Sequence, residues 1–259
     1  MPIEVTILGC GSSAGVPVIG CDCSTCTSND PKNDRTRASI LIKQGNTRLL
    51  VDTSPDLRRQ ALREKIPAID AIFLTHFHAD HVMGIDDIRS FNYINNSTLL
   101  LYSDADTFDK FAAAFPYILR EKPDHVPWVK PEVKPIEVKQ YDEFTVNGEL
   151  HVSTMLQYHG KSTSMGIRVG DFAYSTDVNN LPEQSLQLLE KLDVWVVDCL
   201  RVDPAPTHAH LALTLEWIGK LKPKRAILTH MSHHFDYEKL KGDLPSHITP
   251  AYDGLYITL

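Results

Sequence analysis

The 259-residue chain is 42% hydrophobic and 23% charged, ordinary globular values that exclude a disordered, collagen-like or coiled-coil polypeptide. Its 26 Lys and Arg against 33 Asp and Glu leave a net charge of −7, which disfavours a large nucleic-acid footprint but not a local basic pocket. No apolar run approaches the roughly 18 residues of a membrane helix. Met1-Pro2-Ile3-Glu4 opens without a basic, then apolar, leader, so a soluble, cytoplasmic protein with no membrane partner is expected.

In chain order, β-branched and aliphatic runs bounded by Gly, Asn, Pro or Asp predict strands at Ile3 to Leu8, Ala38 to Lys43, Arg48 to Asp52, Ala71 to Thr75 and Leu99 to Tyr102. The same rule places later strands at Leu150 to Leu156, Met165 to Val169, Phe172 to Tyr174, Val194 to Asp198, Ala226 to Thr229 and Tyr256 to Leu259. Helical patterns fall at Pro55 to Lys65, Ile85 to Phe91, Asp106 to Phe115, Pro182 to Leu192, Leu211 to Leu221 and Tyr237 to Lys241. Ser54-Pro55 reads as an N-cap followed by Pro at the first helical position, and Asn180-Leu181-Pro182 opens another helix in a similar way. Hairpin-like sets and strand-helix-strand units predict an α/β fold of two packed sheets with helices outside. No linker or fixed-period repeat divides the chain, so one domain over 1–259 is expected. The segment 92–141, with Pro at 116, 123, 127, 131 and 135, is read as a lid or partner surface.

Cysteine and histidine usage carries the chemistry. Cys21, Cys23 and Cys26 are too closely spaced to make good disulfides and point to a metal, while Cys10 and Cys199 adjoin apolar stretches and read as reduced, partly buried thiols. After the strand at 71–75 come His76, His78, Asp80 and His81, a concentration of titratable groups that is costly without a cation. A tight loop can aim His76 and His78 at one metal and Asp80 and His81 at a second. His159, Asp177 and His230 each follow an apolar strand, as a site at one edge of the sheets requires, and Asp177 is suited to bridging two cations. The three thiolates of the Cys cluster are one donor short of a closed tetrahedral zinc site, and His233 is the candidate fourth.

This order of motifs resembles the metallo-β-lactamase superfamily over almost the whole chain. The resemblance implies a four-layer αβ/βα sandwich with two divalent ions, Mn or Zn, at its edge. It implies His76, His78 and His159 on one metal, Asp80, His81 and His230 on the other, and Asp177 as the bridge. Asp52 is then a residue that orients the metal-binding loop rather than a ligand. The Cys-x-Cys-x-x-Cys after a Gly-rich start, with Thr229-His230-Met231-Ser232-His233 near the end, resembles the phosphoribosyl 1,2-cyclic phosphate phosphodiesterase branch. That branch implies a structural zinc on Cys21, Cys23, Cys26 and His233, and a homodimer for which the sequence offers no interface.

Two metals polarise a scissile group and acidify a bridging water, so hydrolysis by a metal-bridging hydroxide is expected. A phosphodiester also needs an acid for the departing alkoxide, which His208 or His210 could supply; the resemblance favours His208. Asp80 completes the expected catalytic pair. Ser12 and Ser13, after Gly11, are weak phosphate-binding candidates, and Arg89 and Lys161 are weaker still. Only 18 positions separate His159 from Asp177, which leaves no room for the long arm of the tRNA-processing relatives. The expected substrate is a small cyclic or nucleotide-like phosphodiester. The rivals are a thioesterase or lactonase, which has no need of His208, and a cofactor-biosynthesis protein like the pyrroloquinoline quinone family's member.

Overall fold

The computed structural model describes residues 1–120 and 130–259. Along the chain run β1 (Ile3–Gly9), β2 (Ser39–Gln44), β3 (Thr47–Val51), β4 (Ala71–Phe73), β5 (Leu99–Ser103), β6 (Val133–Glu137) and β7 (Glu143–Val146). They are followed by β8 (Leu150–His159), β9 (Ser162–Val169), β10 (Phe172–Ser175), β11 (Val194–Asp198), β12 (Arg225–Thr229), β13 (Ile248–Pro250) and β14 (Tyr256–Thr258). The helices are α1 (Leu57–Arg63), α2 (Ala79–Val82), α3 (Arg89–Asn95), α4 (Ala105–Ala114), α5 (Pro116–Leu119), α6 (Glu183–Leu188), α7 (Leu211–Leu221) and α8 (Tyr237–Asp243).

Among the described residues the strands form two seven-stranded sheets, ordered β14-β1-β2-β3-β4-β5-β6 and β13-β12-β11-β10-β9-β8-β7. In each, three antiparallel pairings give way to three parallel ones, at β3 in the first sheet and β10 in the second. The two halves therefore share a topology that no fixed-period repeat in the sequence announces. The expected α/β sandwich is what is found.

The strand alternation explains the layers. Leu49 and Val51, Ile40 and Ile42, and Ala71 and Phe73 join the core shared with the second sheet, whereas Leu50, Leu41 and Ile72 join a second core with Leu57, Ile88, Phe91 and Phe111 beneath α1, α3 and α4. Successive side chains point to opposite faces, so strands buried on both read as unbroken apolar runs. Each fully buried Leu, Ile or Phe stabilises such a core by about 1.5 to 3 kcal/mol.

Some expectations are corrected. Pro135 sits in β6, an edge strand that can accommodate it. The 92–141 segment is thus not a separate insertion in its described part: it supplies β5, α4, α5 and β6, while 121–129 lie outside the described residues. Ser54 does not cap α1; Asp56 occupies that place without a side-chain bond, and the Ser54 hydroxyl accepts from the Asp56 amide at 3.2 Å. Pro182, not Asn180, sits at the cap position of α6. No helix among the described residues is long and apolar enough to cross a membrane.

Candidate metal centre and its surroundings

The site lies where strands end. Asp52 follows β3, His76 lies three residues past β4, Asp177 two past β10, Asp198 closes β11 and His230 follows β12. His159 is the last residue of β8, which runs three residues beyond the expected end at Leu156. The 79–82 stretch, expected as a tight loop, is the short helix α2, which turns Asp80 and His81 inward. Asp52, Asp177 and His230 all have positive φ, at 63°, 53° and 55°. That region is disfavoured for residues with a Cβ and is found at sites where the surroundings over-determine the backbone.

These termini bring the expected ligands into two groups that share one carboxylate. His76 Nε2 and His159 Nε2 lie 2.8 and 3.3 Å from His78 Nδ1, and both approach Asp177 Oδ1, at 3.8 and 3.7 Å. In the second group, His81 Nε2 lies 3.0 Å from Asp177 Oδ2 and 3.3 Å from Asp80 Oδ2, and His230 Nε2 lies 3.5 Å from each of these oxygens. The two oxygens of Asp177 thus face different groups. Asp177 is 1% exposed and His81 fully buried, whereas His78 is exposed at the mouth.

The surrounding hydrogen bonds fix these donors. Asp52 Oδ2 accepts from His81 Nδ1 at 2.7 Å, and its carboxylate also takes the Thr75 amide and hydroxyl. The Thr207 carbonyl accepts from His159 Nδ1 at 2.7 Å. Both rings are thereby left with Nε2 turned to the site. Thr176 donates its hydroxyl to Asp177 Oδ2 at 2.7 Å. Asp52 thus acts as the hydrogen-bond acceptor behind His81.

The donor set fits cations. Asp52, Asp80, Asp177 and Asp198 converge with only imidazoles as ionic partners among the described residues, and no Lys or Arg reaches them. His81 Nε2 is buried and lacks a hydrogen-bond partner. Burial pushes the His76 ring below its ordinary pKa, keeping it neutral and able to ligate. Burial acts the same way on His230, but Asp177 and then Asp80 outweigh it and raise the ring to about 9. Burial would raise the Asp177 carboxyl, yet His230 and His81 hold it well below the usual carboxylate range. Concentrated negative charge that draws protons onto its own ligands is charge a pair of divalent ions would neutralise.

One residue of the site escaped sequence reading. Asp198 Oδ2 accepts from His208 Nδ1 at 3.0 Å and from the Val178 amide at 3.0 Å. The His208 ring stacks on His230, with centroids 4.7 Å apart and planes 13° apart, and meets His159 edge-on at 4.7 Å. The signal was present in Val194-Trp195-Val196-Val197-Asp198, an apolar strand ending in an acid like Leu49-Leu50-Val51-Asp52. His210 lies elsewhere, at the N-cap of α7 and bridged to Arg201.

A cavity of about 660 Å³ opens against His78 and His159, lined also by Gly160, Lys161, Ser162, Asn179 and Thr207. Lys161 thus stands at the site. Arg89 does not: it lies 3.4 Å from Asp86 and lines a separate hollow with Leu57 and Leu62. The Ser12 amide donates to the Met231 carbonyl at 3.2 Å, while Ser13 is exposed and its carbonyl accepts from Arg37. Neither serine lines this cavity.

Some distance along the same segment, His233 Nδ1 lies 3.2, 3.5 and 3.7 Å from the sulfurs of Cys21, Cys23 and Cys26. The Val18 amide donates to Cys26 Sγ and the Cys26 amide to Cys23 Sγ, and the latter bond leads in pulling the Cys23 thiol down to about 6. Three sulfurs and one imidazole nitrogen lie within 4.8 Å of one another, a donor set suited to closing around a single metal ion. All five cysteines are unpaired, with Cys10 and Cys199 buried outright.

Comparison with known proteins agrees with this geometry. Residues 47–231 match the family model described as a beta-lactamase superfamily domain. A solved structure titled a new diphosphatase from the PhnP family superposes with a TM-score of 0.92 at 36% identity, covering 100% of this chain and 98% of that one. Zn(2+)-bound PqqB from Methylobacterium extorquens shares the fold, with a TM-score of 0.81 at 19% identity over 99% of this chain and 100% of that one. Among curated proteins, a Porphyromonas gingivalis octanoyltransferase is 34% identical over 252 residues, 96% of this chain and 50% of that protein. A Methylorubrum populi coenzyme PQQ synthesis protein B is 34% identical over 131 residues, 43% of each. The chain thus spans half or less of the length of these curated relatives. With two ligand groups sharing Asp177 at the edge of a two-sheet sandwich, the chain belongs to the metallo-β-lactamase superfamily, in its PhnP-like branch.

Proposed function

We propose that the protein is a metal-dependent phosphodiesterase acting on small cyclic or nucleotide-like phosphodiesters. His76, His78 and His159 would hold one divalent ion, Asp80, His81 and His230 a second, and Asp177 both. Two such ions neutralise phosphoryl charge and acidify water, whether they are Mn or Zn. The observation that carries the reading is the His208–Asp198 pair beside these groups. With Nδ1–H held by the carboxylate, His208 keeps Nε2 for exchanging a proton, which suits an acid that protonates a departing alkoxide. Asp198 fixes the orientation of the ring. Lys161 at the cavity wall complements an anionic substrate. Cys21, Cys23, Cys26 and His233 would hold a structural zinc that ties the N-terminal loop to the segment carrying His230.

The relative titled a diphosphatase of the PhnP family supports chemistry at a phosphoryl group. The relative named octanoyltransferase favours acyl chemistry instead, but this chain spans only half of it. Incubating the protein with Mn²⁺ or Zn²⁺ and either 2′,3′-cyclic nucleotides or an octanoyl thioester separates the readings. Cyclic-diester hydrolysis that Asp80→Ala abolishes supports the proposal. Turnover of the thioester alone, untouched by His208→Ala, overturns it. The homodimer implied by resemblance belongs to the same proposal, and light scattering in solution tests it.

A further inference from the structure

Behind Asp177 lies a buried polar unit that the chemistry above does not use. Gln157 in β8 is fully buried, and Ser164, its direct partner across the β8–β9 ladder, is 1% exposed. Their neighbours on the same strands, Met155 and Met165, are ordinary core residues. Gln157 Nε2 donates to Ser164 Oγ at 3.0 Å and to the Thr176 carbonyl at 2.9 Å. Ser164 Oγ donates in turn to the Asp177 carbonyl at 2.8 Å. The carbonyls of Thr176 and Asp177, on either side of the positive-φ Asp177, are therefore both held by this pair.

Two local penalties accompany the unit. Gln157 Oε1 is buried without a partner, a defect that an apolar side chain here would not have. Gly166 interrupts β9, where glycine weakens a strand, and a Cβ on it would stand 2.4 Å from Gln157 Oε1. An uncompensated amide and a strand glycine that makes room for it are rule-breaking choices of the kind found where function sets the sequence.

We propose that Gln157, partnered by Ser164 and accommodated by Gly166, is a positioning residue that holds the backbone of Asp177 so that its two carboxylate oxygens face the two different donor groups. The inference rests on reading Asp177 as the ligand both ions share. Its test compares wild type, Gln157→Met and Ser164→Ala by two measurements: Mn²⁺ affinity by competition with a chelator, and melting of the metal-free protein. Loss of a support behind a ligand weakens metal binding roughly 10- to 100-fold. We expect that loss in both variants, with the metal-free melting temperature of Ser164→Ala close to wild type. Metal affinity equal to wild type, whether or not the metal-free protein melts earlier, overturns the inference by reducing Gln157 to a packing residue. Should Gln157→Met fail to fold, Ser164→Ala, which removes a single hydroxyl, decides alone. Wild-type protein that takes up no cation pair would instead remove the reading of Asp177 on which the inference stands. Failure to hydrolyse any diester would leave the inference intact.

Discussion

His208 Nδ1 donates to Asp198 Oδ2 at 3.0 Å, within a ring stack that reaches His230. General acids typically contribute 10²- to 10⁴-fold, so His208→Ala should lower turnover by about that range on a diester that expels an alkoxide. On bis(p-nitrophenyl) phosphate the leaving phenolate needs no proton, and the loss should be much smaller. Asp198→Asn should move both substrates in the same direction, because it weakens the grip on Nδ1–H. Steady-state rates on the two substrate types check this; equal losses on both would remove the acid role.

Asp52 grips His81 Nδ1 at 2.7 Å inside a fully buried pair. Asp52→Asn leaves His81 in place but frees its ring. Metal content after dialysis should show the Asp80, His81 and His230 group losing its ion first, with affinity down roughly 10- to 100-fold. Retention of both ions at wild-type affinity would assign Asp52 to stability alone.

Cys23→Ser should cost the protein one zinc per chain and lower its melting temperature, because a structural site converts binding energy into folding energy. The ligands of the paired site remain, so its metal content should persist. Elemental analysis beside a thermal melt reads both, and a variant that keeps its zinc and melts unchanged contradicts the assignment.

At the start of α8, Asp236 accepts from the Lys239 amide at 3.0 Å and from Asn33 Nδ2 at 2.7 Å, and these bonds, the amide first, hold its carboxyl below the ordinary aspartate range. A carboxyl lowered by folding stabilises the protein above the unfolded pKa of about 3.9, and that stability is lost as pH falls through the lower folded value. Asp236→Ala should therefore cost about 1 kcal/mol at neutral pH, the usual worth of an N-cap. The gap between variant and wild type should close in acid. Urea melts across pH test both statements.

Much of this was legible because the strands are buried on both faces: runs such as Leu49-Leu50-Val51 and Val194-Trp195-Val196-Val197 announce themselves without alternation. The His and Asp residues that follow such runs were equally plain. What stayed hidden depended on tertiary context. β6 carries Pro135 and β7 is four residues long with two exposed polar positions, so neither shows an apolar run. Asp198 was invisible as a partner of His208 because the two lie ten positions apart, and only the pairing of β11 with β10 and β12 brings the acid to the site. The engagement of the Ser12 amide was hidden for a similar reason: the turn is bridged to Met231, more than 200 positions away.

On the reading proposed above, two cations sharing Asp177 drive phosphodiester hydrolysis. The most direct test of that reading is to strip the protein of all but its cysteine-bound zinc and titrate Mn²⁺ while recording bound metal and hydrolysis of a 2′,3′-cyclic nucleotide together. Activity should appear as the second equivalent binds, and Asp80→Ala should bind one equivalent and stay inactive. Full turnover at a single equivalent, or wild-type protein carrying two that leaves every phosphodiester intact, would contradict it.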